Sequence, residues 1–135
     1  MDCLFCKIAK KEKEAQIVYE DAKTMAFLDI NQRAPGHTMV ISKVHSENIL
    51  DLPDSELKPV FLTVKKVITK LNSALKPHGF TIAINHGKAA GQVIDHLHIH
   101  LLPRFADDGG GSIHSVVNNP SNETLIDLAE KIKSS

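Results

Sequence analysis

The chain has 135 residues, 42% of them hydrophobic and 24% charged, with 16 basic residues balanced by 16 acidic ones. That is room for one domain with one substantial core, and a formal charge of zero excludes the electrostatic footprint that recruits nucleic acid or an anionic membrane. No run approaches the roughly 20 apolar residues that span a bilayer, charges at Lys10–Glu14 interrupt any secretory leader, and only two cysteines occur, so a cytoplasmic location is expected.

In chain order, residues 3–10 have the pattern of one or two helical turns. Ile17–Tyr19 and Thr24–Ile30 read as strands joined at Glu20-Asp21, a hairpin. Pro35-Gly36 supplies a turn before a third strand, His37–Ser42. From Asp54, apolar residues recur at three- and four-residue intervals through Leu71, with lysines largely between them. This is the main amphipathic helix, with Pro59 expected near its first turn and Lys76-Pro77-His78-Gly79 as its stop. Phe80–Asn85 is a fourth strand and Ile94–Leu102 a fifth, joined by a loop with Gly87 and Gly91. A second helix runs from Glu123 to Lys133, with Ser121 or Asn122 as its N-cap. Strands and helices are segregated rather than alternating, which favours an α+β fold with an antiparallel sheet of about five strands.

The fifth strand reads His96-Leu97-His98-Ile99-His100-Leu101-Leu102. Extended backbone puts the three imidazoles on one face, roughly 6.5–7 Å apart, and the aliphatics on the other. One face packs and the other is free for chemistry. Alternate strand histidines also suit metal, so nucleophile and ligand both remain open from spacing alone. Cys3 and Cys6 supply half of a tetrahedral zinc site, or are simply two reduced thiols.

The run His96–Leu102 resembles the histidine triad motif of the HIT superfamily of nucleotide hydrolases and transferases. Gly91-Gln92 ahead of it, Pro103-Arg104 behind it, and Phe27–Ile30, Gly36-His37, Ser42–His45 and Ile84–Gly87 upstream occur in the family's order. The resemblance covers residues 3–105. It implies a single HIT-like domain over 1–135, with a loop and helix at 106–135 appended to the motif-bearing core.

The resemblance further implies a nucleotide hydrolase in which His98 attacks an α-phosphorus and forms a nucleotidyl-histidine. His96, His98, His100 and His37 make up its catalytic set, with His37 and His100 stabilising charge on the phosphate oxygens. For the nucleoside it implies Asp29 at the ribose, Asn85 beside ribose and phosphate, Phe5, Ile8, Phe27 and Ile30 around a purine base, and Gly91 and Gln92 near the phosphate. Zinc would sit on Cys3, Cys6, His45 and His96, and the chain would pair as a homodimer. Val93 replaces a serine or threonine that many members place beside the phosphate. Asp95, Asp107 and Asp108 add negative charge, which favours nucleoside phosphoramidates over dinucleoside polyphosphates as substrates. The alternatives are hydrolysis of the polyphosphates, or a nucleotide-binding or interaction module with little catalysis.

Overall fold

The computed structural model describes residues 2–135. In chain order it contains α1 (Leu4–Ala9), β1 (Ile17–Glu20), β2 (Thr24–Leu28), β3 (Thr38–Ser42), α2 (Asp54–Leu75), β4 (Gly79–Ala83), β5 (His98–Arg104) and α3 (Leu125–Lys133). The five strands form one antiparallel sheet in the order β1-β2-β3-β5-β4. No helix is long and apolar enough to cross a membrane among these residues.

Central strand β3 is buried at all five positions because both faces of the sheet are covered there. Ala26, Val40, Ile99 and Leu101 face α2 and pack on Val60, Val64, Val67 and Leu71. On the opposite face Met25, Phe27, Met39 and Ile41 pack on Cys3, Phe5 and Ile8 around α1. Register carries this second face across to the histidines: Phe27 pairs with Met39 and Met39 with His100, while Met25 pairs with Ile41 and Ile41 with His98. The chemical side chains therefore continue an apolar row that begins in β2.

Several boundaries differ from the sequence expectation for identifiable reasons. The fifth strand begins at His98, not Ile94, because the chain turns tightly first: His96 N–H donates to the Ile94 carbonyl and Leu97 N–H to that of Ser46. The second strand ends at Leu28, and Asp29 N–H closes a turn onto the His37 carbonyl. Pro59 is the sixth residue of α2, near its first turn as expected. The helical bond it omits is the one to Ser55, whose exposure leaves that carbonyl open to solvent. Lys76 itself takes the left-handed conformation that ends α2, and Gly79 opens β4. Thr124, not Ser121 or Asn122, caps α3 by accepting from Asp127 N–H.

Candidate active site

His98 and His100 project from one face of β5, and His37 enters beside them from the turn before β3. That turn is Ala34-Pro35-Gly36-His37, closed by His37 N–H on the Ala34 carbonyl at 3.0 Å. Gly36 has φ +88°, as the third position of a type II turn demands, and a Cβ there would run into Leu75.

The hydrogen bonds fix which ring nitrogens carry protons. His98 Nδ1 lies 2.7 Å from the His96 carbonyl, which can only accept, so Nδ1 is protonated and Nε2 presents a lone pair. His37 Nδ1 accepts from Arg33 N–H at 3.3 Å, which leaves the proton on Nε2. That N–H donates to His100 Nδ1 at 2.9 Å, with the Asp29 carboxylate 3.5 Å away as a second acceptor. His100 accordingly carries its own proton on Nε2. Burial lowers the proton affinity of His37, His98 and His100, and the neighbouring His98 and His37 add to the effect at His100, which falls to about 4. Asp29 opposes the shift in each case.

The His98 and His100 rings border a cavity of about 400 Å³, and His37 stands behind them, outside its lining. Phe5, Ile8 and Phe27 form its apolar wall, with Asp29, Asn85 and Gly91 as polar neighbours. The Phe5 ring stands edge-on to His98, 5.1 Å between centroids at 90°. Ile30 is 94% exposed and Val93 86% exposed, so both belong to the rim.

Gln92 is turned away from the cavity. Its Oε1 accepts from Gly87 N–H, and its Nε2 donates to the carbonyls of Glu47 and Ile94, so the amide braces the 87–92 loop. Leu4, Met39 and Ile94 also line the cavity. Met39 was available to sequence reasoning, since strand alternation puts it on the His37 side of β3; Leu4 and Ile94 depend on how α1 and the 94–97 turn dock.

His96 does not share the cavity. It is wholly buried, its Nε2 donating to the Ser42 carbonyl at 2.8 Å, which frees Nδ1 as a lone-pair donor. Nδ1 lies 3.5 Å from both Cys3 Sγ and Cys6 Sγ, and His45 Nδ1 lies 3.3 Å from Cys6 Sγ. All four ligand atoms fall within 4.8 Å of one another. A tetrahedral zinc with ordinary Zn–S and Zn–N lengths has S···N edges of about 3.6 Å. The donor set, its spacing and the anchored His96 tautomer fit that ion. Asp29, His37 and His100 also cluster, but 2.9 Å between the two rings and the proton on His37 Nε2 mark a hydrogen-bonded group.

The model of the HIT domain matches residues 10–107. The chain belongs to the HIT family. An uncharacterized HIT-like protein of Methanocaldococcus jannaschii is 41% identical over 131 residues, covering 97% of this chain and 96% of its own length. The adenosine 5'-monophosphoramidase of Saccharomyces cerevisiae is 37% identical over 131 residues, covering 96% of this chain and 77% of its own length. The crystal structure of a HIT family member from Bacillus subtilis superposes with a TM-score of 0.87 at 35% identity, covering 99% of this chain and 94% of that one. The five-stranded antiparallel sheet with its helices is thus a HIT fold, and the family and its named relatives support a hydrolase.

Proposed function

We propose that this HIT protein hydrolyses nucleoside 5'-phosphoramidates at the α-phosphorus through a nucleotidyl intermediate on His98. The observation that carries the reading is the His98 ring itself: Nδ1 is committed to the His96 carbonyl, and the basic Nε2 belongs to a ring bordering a largely apolar cavity. A relative named adenosine 5'-monophosphoramidase supports the substrate class. Phe5, Ile8 and Phe27 provide a slot for a purine, and Asp29 and Asn85 stand where ribose hydroxyls would enter.

In the first step a bond forms between His98 Nε2 and phosphorus while the phosphorus–nitrogen bond breaks. The amine departs with that electron pair and takes up one proton. Water then attacks phosphorus, the bond to Nε2 breaks, and one proton is released with the nucleoside monophosphate. His100 contributes its Nε2–H as a neutral donor to the nonbridging oxygens, held in that tautomer by His37. Gln92 acts one layer out, by fixing the loop that carries Gly91.

The same reading places zinc on Cys3, Cys6, His45 and His96. With all four positions taken by protein, the ion would cross-link α1 to the segment after β3 and the segment before β5. It also includes a homodimer: β4 is an edge strand with Ile82 half exposed, and α2 leaves Phe61 and Leu62 uncovered.

The test is to mix protein with radiolabelled adenosine 5'-phosphoramidate, quench in acid-free denaturant and look for label on the polypeptide. Wild type should carry it transiently, and His98→Ala should carry none and lose at least about 10³-fold in turnover. Equal turnover in His98→Ala refutes the reading. Diadenosine polyphosphates run in parallel reveal whether the specificity constant instead favours that class.

A further inference from the structure

The nucleoside cavity extends beyond the residues already placed in it. One row of cross-strand pairs, His100 with Met39, Met39 with Phe27 and Phe27 with Ile17, crosses the sheet from β5 to β1. At about 4.8 Å between strands, β1 lies roughly 14 Å from the histidines along that row. The Gln16 carbonyl accepts from Leu28 N–H, so the same antiparallel register brings residue 15 level with Asp29 and residue 14 level with Ile30. Ala15 packs on the apolar face that carries Phe5 and Phe27. Lys13 and Glu14, just before it, line the cavity at the end away from the histidines.

The charged run from Lys10 to Glu14 is thus not one uniform solvated face. The chain leaves α1 through Lys11, whose backbone is left-handed, and folds back so that the N–H groups of Glu12 and Lys13 both donate to the Lys7 carbonyl. Lys11 Nζ turns to Glu20 at 3.0 Å. Lys13 and Glu14 make no ion pair among the described residues, so both charges are available to whatever fills the cavity. Phosphate at His98 and ribose at Asp29 set the direction of a nucleotide, from β5 toward β1. Its base then presents its outer edge to these two side chains.

We propose that Glu14, with Lys13 beside it, reads the Watson–Crick edge of the purine and selects guanine over adenine. An ionised carboxylate only accepts hydrogen bonds. Guanine offers it two adjacent donors, N1–H and the exocyclic N2 amine, in the parallel arrangement that suits two carboxylate oxygens. Guanine O6 in turn accepts from an ammonium such as that of Lys13. Adenine offers one donor, the N6 amine, beside the bare N1 lone pair, which a second carboxylate oxygen repels. The apolar wall holds either purine alike, so discrimination falls to the groups that meet the base edge. This inference rests on the hydrolase reading above and names the base that its site prefers.

Calorimetric affinities for guanosine, inosine and adenosine 5'-monophosphates test it independently of turnover. Inosine keeps N1–H and O6 but lacks the N2 amine. Wild type should bind the guanosine nucleotide roughly three- to tenfold more tightly than the adenosine one, as for contacts that stay partly solvated, with the inosine nucleotide between them. Glu14→Ala should bring the ratio close to one, the loss falling on the guanosine nucleotide, and Glu14→Gln, which keeps one acceptor, should retain part of it. A wild-type ratio near or below one overturns the inference alone. So does a ratio unchanged in Glu14→Ala, or an equal loss on all three nucleotides, because Glu14 would then act through the sugar or the fold. The expected ratios without turnover of guanosine or adenosine 5'-phosphoramidate would sustain the inference and overturn the hydrolase reading. Binding of none of the three overturns both.

Discussion

At the scale of single residues the site is a set of neutral imidazoles with assigned protons, and acid is the natural way to disturb it. His100 faces His98 on its own strand, His37 from the turn before β3 and Asp29 from the turn after β2. Its proton affinity falls from an ordinary 6.5 to about 4 on folding, because burial and the two neighbouring rings disfavour its charged form. Below pH 6.5 the unfolded chain binds a proton that the folded chain refuses. Stability is thus complete above about 6.5 and is lost as the pH falls toward 4. His100→Asn should flatten that part of the profile, measured as the difference in urea midpoint between pH 7.5 and pH 5; an identical drop in variant and wild type would contradict it. Gly36 is the other sensitive position. Gly36→Ala combines a left-handed backbone with a collision at Leu75 and should cost on the order of 2 kcal/mol in urea unfolding, with turnover falling as well because His37 follows directly.

At the scale of elements, what was legible in the sequence was whatever leaves a side-chain rhythm. The alternation of Leu97, Ile99 and Leu101 against His98 and His100 identified a strand with one chemical face, and all three aliphatics do pack in the core on the α2 side. His96 keeps the same spacing, yet its main chain is in a turn and its ring bonds the Ser42 carbonyl. Nothing in alternation distinguishes a ladder residue from one bent out of it, because the difference lies in where a backbone N–H goes. The convergence of Cys3 and Cys6 with His45 and His96 spans |i−j| of 39 to 93 and came only from family resemblance.

The short helix α1 raises the question of what holds it. Six residues are too few to be stable alone, and its buried contacts are Phe5 and Ile8 plus the Cys6 N–H bond to Cys3 Sγ. A zinc cross-link here would act as a ligand of the native state, worth about 4 kcal/mol when free zinc exceeds its Kd a thousandfold. Chelation, or Cys6→Ser, should therefore lower the melting temperature by roughly 10 °C and speed amide exchange in residues 4–9. It should also broaden the His98 ring resonances, because Phe5 rests on that ring and the His96 carbonyl holds its Nδ1. Metal analysis of chelator-free protein showing no zinc would remove the basis for all three effects.

At the scale of the whole molecule, the described chain leaves more apolar surface uncovered than its own core can use. Phe61 and Leu62 on α2 and Ile82 on edge strand β4 are each about half exposed, and Val116, Val117, Leu125, Ile126 and Ile132 in the C-terminal segment are largely so. Helix α3 has nine residues, shorter than the roughly 12–15 that persist unaided in water. An edge strand beside an uncovered helix face is a self-complementary surface, which a two-fold axis can bury using the same residues twice. Phe61→Glu with Leu62→Glu would place four carboxylates against one another across such an axis, two from each copy. The double variant should run as a monomer by light scattering at concentrations where wild type runs as a dimer. Neither side chain lies in the fully buried core, so its far-ultraviolet circular dichroism should be unchanged. A monomeric wild type at micromolar concentration would refute the dimer, and a dimeric double variant would move the interface off α2.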